Sequence, residues 1–382
     1  MRRVVQIAAS AIALAAAVTA CSAPASTGGA GGGAGGASTC PASLSADAGK
    51  TYTTPPTDPN PAAKGKNIAI VAVGMSSPTV AVGATNVEAA AKSIGWTTTL
   101  YDAKLDPANF PTMVRAAVTS KVDGIIGVGL DAPLVTQAVQ EATAAGIPTI
   151  SVQGWDLNDD PSTRTQTPIF TTQISFGDRY KNFADAMRAY GAASATWNMV
   201  KAGCQGTLLD FSNNEYTTLK LIKEGYSEQI ANNCPDCKLV DVPWLAADFG
   251  PPLTSKVKAA LLQNPGATGA NGNTNPTLGI TQGVTQSGDT DLPMIGGFGV
   301  AADYDAVRTN QGLTAVNSWP LQWWSYAAVD TLNSHFNGTP ARDEGLGFEI
   351  VDATMGLPPA GQDFAPSFDV PAAYAASWGV SP

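Results

Sequence analysis

The sequence predicts an α/β fold of two similar doubly wound lobes, each built on a central parallel sheet. Short apolar runs bounded by Gly, Asn or Asp alternate with segments of helical pattern, as in β-α-β units. The alternation is clearest between residues 269 and 320, where the apolar run 294–298 lies between two helical segments. The length of 382 residues suits two domains, and 44% hydrophobic residues supply a sizeable core.

From residue 66 onward the chain alternates strands and helices without a sequence repeat. The strands predicted for the first lobe are 67–73, 96–101, 124–128 and 148–152. Those predicted for the second lobe are 207–211, 238–242, 268–270, 294–298 and 313–317. The predicted helices are 80–94, 110–120, 134–145, 177–190, 218–231, 253–263, 275–287, 303–309 and 321–336.

The N-terminus has a different character from the rest of the chain. Arg2 and Arg3 precede a small-residue apolar run that ends at Cys21, and this resembles a bacterial lipoprotein signal with its lipobox. Cleavage before Cys21 would leave a lipidated cysteine. The alternative is an uncleaved transmembrane anchor, but the run is short and lacks a stop-transfer flank. Residues 22–65, rich in Gly and then in Thr and Pro, are predicted to be a flexible linker.

Several short sequence motifs resemble those of the sugar-binding type I periplasmic binding proteins, the extracytoplasmic solute receptors of ABC importers. In the second lobe these motifs are NTNPTLG at 273–279, IGGFG at 295–299 and GLTAV at 312–316. In the first lobe they are KVDGII at 121–126 and EATAAGIP at 141–148. The likeness covers about residues 66–350, and it is not extended to the Pro- and Ala-rich tail from residue 353.

This resemblance implies a domain organisation. The chain is expected to cross between the lobes three times, near 152–156, 317–320 and 348–352, and these crossings form the hinge. The signal segment is then 1–21 and the linker 22–65. The N-terminal lobe comprises 66–154 plus 319–348, and the C-terminal lobe comprises 155–318 plus 349–382.

The resemblance also implies a function. A sugar or sugar-like molecule would bind in the cleft between the lobes, the hinge would close, and an ABC permease would receive the solute. The chain would be a monomer without a cofactor, exported and held at the outer face of the cytoplasmic membrane by its lipid alone. Two alternatives stay open: a ligand-sensing receptor for a signalling partner, and a receptor for a less polar or aromatic solute. A neighbouring permease gene would favour transport, and a sensor kinase gene would favour signalling.

The predicted ligand-binding residues follow the carboxyl ends of strands or lie at the crossings, where open α/β sheets bind ligands. Polar side chains there would bond hydroxyl groups, and rings would pack on C–H faces. The residues are Ser76, Ser77, Asp131, Gln153, Trp155, Asn213, Lys220, Phe249, Asn273, Asn317 and Trp319.

By resemblance, Asp131 and Asn273 match sugar-contacting positions, Phe249 matches a covering ring, and Lys220 stands where the family usually has an Arg. The alternatives are helix caps for the two Asn residues at strand ends, a helix-start carboxylate for Asp131 and a solvated Lys220.

Two departures from the family pattern weaken the expectation of a sugar. Gly299 replaces an Asp, and Gln153-Gly154 replaces an Asp-Arg pair. Losing such groups removes charge-assisted hydrogen bonds to hydroxyls. Trp155 and Trp319 lie at the crossings instead. Trp323 and Trp324 are expected in the core because they lie within a helix.

Four cysteines remain after Cys21: Cys40, Cys204, Cys234 and Cys237. In an exported protein an even number predicts disulfides. Cys204 and Cys237 each precede a strand, and neighbouring parallel strands bring such starts together. We therefore expect Cys204 to pair with Cys237 or Cys234. The alternatives for the CxxC at 234–237 are a redox pair or half of a zinc site, but the other zinc ligands are missing.

The composition argues against other function classes. The net charge is −10, no basic run is present, and no helix-turn-helix precedes the lobes as it does in two-lobed repressors, so nucleic acid is not an expected partner. His335 is the only histidine, and no histidine-based triad, zincin motif or P-loop can be assembled. The sequence therefore predicts no enzyme and no metal site.

Overall fold

The computed structural model describes residues 40–41, 44–46, 50–159, 166–273 and 275–381. The predicted signal segment, Cys21 and the Gly-rich part of the linker lie outside the described residues. Within the described part, no helix combines the length and apolar character needed to cross a membrane.

The first lobe is a four-stranded parallel sheet covered by helices. Its strands are β1 (Asn67–Ala72), β2 (Thr97–Asp102), β3 (Gly124–Val128) and β4 (Thr149–Val152). Its helices are α1 (Pro78–Ser93), α2 (Phe110–Thr119) and α3 (Ala132–Ala144). The strand order is β2-β1-β3-β4, and each neighbouring pair is parallel. β3 is buried along its whole length, as a central strand covered on both faces should be.

The second lobe repeats this order on a larger sheet. Its helices are α4 (Phe183–Lys201), α5 (Thr217–Asn233), α6 (Pro251–Gln263), α7 (Ile280–Ser287) and α8 (Ala301–Arg308). Its strands are β5 (Gly206–Asn213), β6 (Cys237–Trp244), β7 (Ala267–Gly272), β8 (Met294–Gly296), β9 (Ala315–Ser318) and β10 (Glu349–Asp352).

The strand order in the second sheet is β10-β9-β8-β7-β5-β6. The run β6-β5-β7-β8 therefore has the same order as β2-β1-β3-β4, which confirms the predicted pair of similar doubly wound lobes. β10 pairs antiparallel with β9, a departure from the fully parallel sheet that was predicted.

Two late helices complete the fold. α9 (Leu321–Phe336) follows β9 and packs against α1 and β4 of the first lobe. α10 (Val370–Trp378) packs on α9.

Two predicted helices differ from those in the structure. The helix predicted at 275–287 is broken at Gly279, whose φ of 140° is incompatible with a helix; a short 3₁₀ turn (Pro276–Leu278) precedes α7. A side chain at Gly279 would also lie 2.9 Å from the Gly250 carbonyl oxygen. The helix predicted at 177–190 is instead α4, which begins at Phe183 because Asn182 caps the backbone amide of Asp185.

The last part of the predicted linker is docked on the body of the protein. The backbone amide of Thr51 donates to Phe348 and that of Thr53 donates to Gly345, both at 2.9 Å. Tyr52 is buried, and its hydroxyl donates to Glu349 at 2.8 Å. Residues 51–53 therefore run beside the segment that leads into β10, and residues 60–63 bond α9 and α10. Glycines at 345 and 347 allow this close approach, since a side chain at either would meet the backbone of residues 51–54.

The predicted cysteine pairing is wrong. The disulfides join Cys40 to Cys204 and Cys234 to Cys237. The starts of β5 and β6 do lie side by side, with Gly206 opposite Cys237. However, a tight turn after α5 brings Cys234 to within 5.3 Å of Cys237, measured between Cα atoms. The N-terminal segment supplies the partner of Cys204, which strand geometry alone could not reveal.

We predict unequal effects when the two disulfides are removed. The Cys40–Cys204 bond spans 164 residues, so Cys40→Ala/Cys204→Ala should lower the free energy of unfolding by roughly 2–5 kcal/mol. The matched control, Cys234→Ala/Cys237→Ala, opens a loop of only three residues and should cost less. Urea unfolding of both variants measures the difference. Equal losses would contradict a tethering role for Cys40.

Candidate functional site

A cavity of about 100 Å³ lies between the carboxyl ends of the two sheets. Val73, Gly129 and Gln153 line it directly after β1, β3 and β4, and Trp244 lines it at the end of β6. This is the edge at which doubly wound sheets bind ligands. The remaining lining residues are Ser77, Thr79, Val80, Leu105, Asp131, Tyr216, Thr218, Leu219, Phe249, Asn275, Phe298 and Trp324.

Asp131 connects the two lobes across this cavity. Its carboxylate accepts hydrogen bonds from the backbone amide of Thr217 at 2.8 Å and from the Thr218 hydroxyl at 3.1 Å, both in the second lobe. The backbone amide of Trp155, at the first crossing, also donates to it at 3.1 Å. Burial raises the pKa of Asp131, and the three hydrogen bonds oppose that rise. We call this group of bonds the interlobe clasp.

A second polar bridge lies on the same cavity wall. The Thr79 hydroxyl donates to Asn275 Oδ1 at 2.7 Å, and Asn275 Nδ2 donates to the Ser77 hydroxyl at 3.2 Å. Ser77 and Thr79 belong to the start of α1 in the first lobe, whereas Asn275 follows β7 in the second. Asn275 has a φ of 33°, a left-handed conformation that Asn tolerates better than most residues.

Five aromatic rings also line the cavity, namely Tyr216, Trp244, Phe249, Phe298 and Trp324. The rings of Trp244 and Phe249 lie 5.1 Å apart between centroids. The Trp244 indole N–H is already used, since it donates to the Phe211 carbonyl at 3.0 Å. The walls thus offer ring faces more than free hydrogen-bonding groups.

Gln153 lines the cavity in an unusual conformation. Its φ is 61°, and its side-chain Nε2 is buried without a hydrogen-bond partner among the described residues. That nitrogen lies against Gly83 of α1, where a β-carbon would come within 2.6 Å of it. A buried amide nitrogen without a partner costs free energy unless something else accepts its hydrogen.

Two of the three positions that depart from the family pattern, Gly154 and Gly299, have no room for a side chain. A β-carbon at Gly154 would overlap the Leu130 carbonyl oxygen. Gly299 has a φ of 96°, and a β-carbon there would lie 2.9 Å from the Tyr304 hydroxyl and 3.0 Å from Phe364. Neither position can therefore present a charged group to the cavity.

Four of the predicted ligand-binding residues line the cavity: Ser77, Asp131, Gln153 and Phe249. The structure places the other seven away from its wall, as the next two paragraphs describe.

Five of these seven are polar. Ser76 and Lys220 are exposed, which agrees with the solvated alternative for Lys220. Asn213 bonds Glu215 two residues later, Asn273 donates weakly to the Leu219 carbonyl at 3.4 Å, and Asn317 donates to Tyr190 and Ser194. A position at the end of a strand was therefore not enough to predict whether an asparagine lines the cavity.

The tryptophans at the crossings lie behind the wall. Trp319 is fully buried, and its ring centroid lies 4.8 Å from that of Trp324, which does line the cavity although its helical position predicted a core residue. Trp155 contributes its backbone amide to the interlobe clasp. Sequence reasoning also missed Thr79 and Asn275. Their positions in the sequence could have indicated a role at the site, because Thr79 lies at the start of the first helix and Asn275 lies within the motif NTNPTLG.

The described residues contain no group of three or more His, Cys, Asp or Glu side chains placed to hold a metal ion. His335 lies near the end of α9 beside Phe336, three turns of the helix away from Trp324, the residue of α9 that lines the cavity.

Residues 68–340 match the family model described as periplasmic binding protein domain, which is well over half of the chain. The chain belongs to this periplasmic binding protein family. Its members act outside the cytoplasm and are binding proteins rather than enzymes. A search of curated protein sequences finds no significant match.

Solved structures of similar fold include three ABC transporter solute-binding proteins. One from Agrobacterium vitis, bound to α-D-tagatopyranose, has 19% identity and a TM-score of 0.66 over 79% of this chain and 100% of its own. One from Actinobacillus succinogenes, with D-allose, has 17% identity and a TM-score of 0.64 over 76% and 98%. One from Mycobacterium smegmatis, with glycerol, has 15% identity and a TM-score of 0.62 over 78% and 99%. At these identities the likeness concerns the fold.

Three buried aspartates outside the cavity wall have strongly raised pKa values. Burial raises the pKa of Asp159, Asp210 and Asp303 to about 7 in each case. Asp210 lies in β5, where one carboxyl oxygen accepts from Asn271 at 2.8 Å and the other has no partner among the described residues. A protonated carboxyl group suits that position better than a charged one.

We predict that stability falls as pH rises from about 4 to about 7. In this window the folded aspartates hold protons that the unfolded ones release, so the folded state binds more protons and loses stability with rising pH. Asp210→Asn should remove its share, about 1–3 kcal/mol of the difference in free energy of unfolding between pH 5 and pH 8. Urea unfolding at both pH values measures this. The exposed Asp289→Asn is the control, and an unchanged pH dependence in Asp210→Asn would refute the assignment.

Proposed function

We propose that this protein is the solute-binding lipoprotein of an ABC importer. It captures a small molecule in the cavity between its lobes, closes around it and delivers it to the permease subunits. The observation that carries the proposal is the cavity at the carboxyl ends of both sheets, where the interlobe clasp and the Asn275 bridge join the two lobes. We expect these bonds to break as the lobes open for a solute and to form again when the lobes close around it.

The ligand class has two candidates. A sugar or sugar-like molecule is supported by the sequence resemblance and by the tagatopyranose and allose named for solved proteins of similar fold. A less polar or aromatic solute is supported by the aromatic rings of the wall and by Gly154 and Gly299, where there is no room for a charged side chain. Either would be a small uncharged molecule bound by one monomer.

The lipid anchor would hold this receptor near its permease. The Cys40–Cys204 disulfide attaches the chain to the second lobe, so the free leash is the stretch from Cys21 to Cys40 rather than the whole predicted linker. Nineteen residue steps of extended chain reach at most roughly 65 Å. The receptor would therefore capture solute close to the membrane and meet a permease without leaving it.

We predict that Asp131→Asn weakens ligand binding by roughly 1–3 kcal/mol. The variant keeps the shape of the side chain but places an NH₂ group against backbone amides that need an acceptor, which disfavours closure. A thermal-shift screen of residues 38–382 against sugars, polyols, nucleosides and aromatic solutes first finds the ligand, since a bound solute at a hundredfold excess adds about 2.7 kcal/mol. Calorimetry then compares the variants.

The exposed Lys220→Ala serves as the control for this comparison and should bind like the wild type. Equal affinity of the wild type and Asp131→Asn would contradict the role of the clasp. A screen in which no solute class stabilises the protein would contradict the receptor function itself.

We predict that Cys21→Ala moves the protein from the membrane fraction to the soluble extracytoplasmic fraction. The described helices offer no other membrane-crossing element, and without the lipid the acidic chain has little attraction to a membrane surface. Fractionation of cells expressing the full chain measures the change, with Ser22→Ala as the control. Retention of the Cys21→Ala protein in the membrane would instead favour an uncleaved anchor.

A further inference from the structure

We propose that the C-terminal tail, residues 353–378, is a fourth crossing between the lobes and limits how far they open. The chain also crosses after β4, after β9 and before β10. The tail lies beyond residues 68–340, which match the family model. Its two halves are bound to different lobes, and the stretch between them is short. This role rests on the proposed receptor function, because that function requires the lobes to move.

The first half of the tail is bound to α8 in the second lobe. Arg308 donates through its guanidinium group to the Pro358 carbonyl. The backbone amide of Gly361 donates to the carboxylate of Asp305 at 3.3 Å. Arg308 and Asp305 both belong to α8, so this half of the tail moves with the second lobe.

The next two residues of the tail hold the loop that carries Phe298, a residue of the cavity wall. The backbone amide of Phe364 donates to the Gly299 carbonyl at 2.8 Å, and the carboxylate of Asp363 accepts from the backbone amide of Ala301 at 2.8 Å. Gly299 permits this approach, since its φ is 96° and a β-carbon there would lie only 3.0 Å from the β-carbon of Phe364. The tail therefore positions one part of the cavity wall.

The second half of the tail is bound to α9, which packs against α1 and β4 of the first lobe. The rings of Phe368 and Trp323 meet edge to face, with their centroids 4.9 Å apart. In α10, the Tyr374 hydroxyl accepts a hydrogen bond from the Trp323 indole N–H at 3.1 Å. The ring of Trp378 stacks on that of Tyr326 with a centroid distance of 5.8 Å. Trp323, Tyr374 and Trp378 are all buried, so this half is firmly anchored.

Only Ala365, Pro366 and Ser367 separate the two halves. Even when fully extended, the chain from Phe364 to Phe368 spans at most roughly 14 Å. Pro366 also has a fixed φ, which makes this link stiffer. An opening that carried α8 further from α9 than this length would have to detach one half of the tail from its lobe. The tail therefore favours arrangements in which the lobes stay close.

A slackened tail tests this role without removing any of these contacts. Inserting Gly-Gly-Ser-Gly-Gly-Ser between Ala365 and Pro366 keeps both halves and lengthens the link by up to roughly 20 Å. Spin labels on Ser76→Cys and Lys220→Cys, exposed positions of the first and second lobe, report the separation of the lobes by pulsed electron paramagnetic resonance. Without solute, the original tail should give one narrow distance distribution. The slackened tail should add a population at longer distances.

The matched control carries the same inserted peptide between Pro265 and Gly266, two exposed residues before β7. This insertion lies within the second lobe and should leave the distance distribution unchanged. Melting temperatures of the two insertion variants should agree, because a longer surface loop adds little to the entropy of unfolding.

A point variant tests the positioning of the cavity wall. Asp363→Ala removes the acceptor of the Ala301 amide, so hydrogen exchange of that amide should become about tenfold faster, as expected for the loss of one hydrogen bond. The amides of α10 should keep their protection, since that helix is anchored separately. An unchanged exchange rate at Ala301 would overturn the positioning role.

Equal distance distributions in the slackened protein and the control would overturn the role of the tail as a limiting crossing. A broad distribution with the original tail would overturn it too, because the lobes would then open with the tail in place, and the receptor function would remain intact. If the slackened protein opens but no sugar, polyol, nucleoside or aromatic solute raises its melting temperature, the receptor function fails and the crossing stands.

Discussion

The buried carboxylate of Asp131 is the group on which the closed arrangement of the lobes depends. Removing a carboxylate from water is costly unless donors replace its hydration. Those donors come from the second lobe, through Thr217 and Thr218, and from the first crossing, through Trp155. The carboxylate is therefore satisfied without water only when both lobes are in place. A solute that contacts both lobes would add to these bonds and shift the population towards the closed arrangement.

A second buried carboxylate joins three segments that lie outside the two sheets. Asp330 of α9 is fully buried and accepts hydrogen bonds from Arg342 at 2.6 Å, Trp378 at 2.7 Å and Asn60 at 3.0 Å. One carboxylate thus joins the N-terminal segment, the segment before β10 and the C-terminal helix. With Cys40 bonded to Cys204, the N-terminal segment contacts both lobes. If the lobes move relative to one another, the N-terminal segment must keep both attachments and bend between them.

The alternation of apolar runs and helical segments was sufficient to predict the two lobes, since a buried strand such as β3 must be apolar on both faces. Local backbone effects were harder to predict. Gly279 reads as a tolerated glycine within a helix, yet the approach of the Gly250 carbonyl forces a break. The prediction of the disulfide pairing failed for a related reason. The starts of β5 and β6 are adjacent as expected, but the partner of Cys204 is Cys40, which lies 164 residues earlier in the chain.

The sequence by itself determined the order of the strands and helices as far as α9, and the family, because periodicity and short motifs are local properties of the chain. Only the tertiary structure decided which side chains face the cavity. Asn273 and Asn275 are two residues apart, yet one lies behind the wall and the other bridges the lobes. Trp324 lines the cavity and Trp319 supports it from behind. Such differences depend on contacts between distant segments, which no local pattern records.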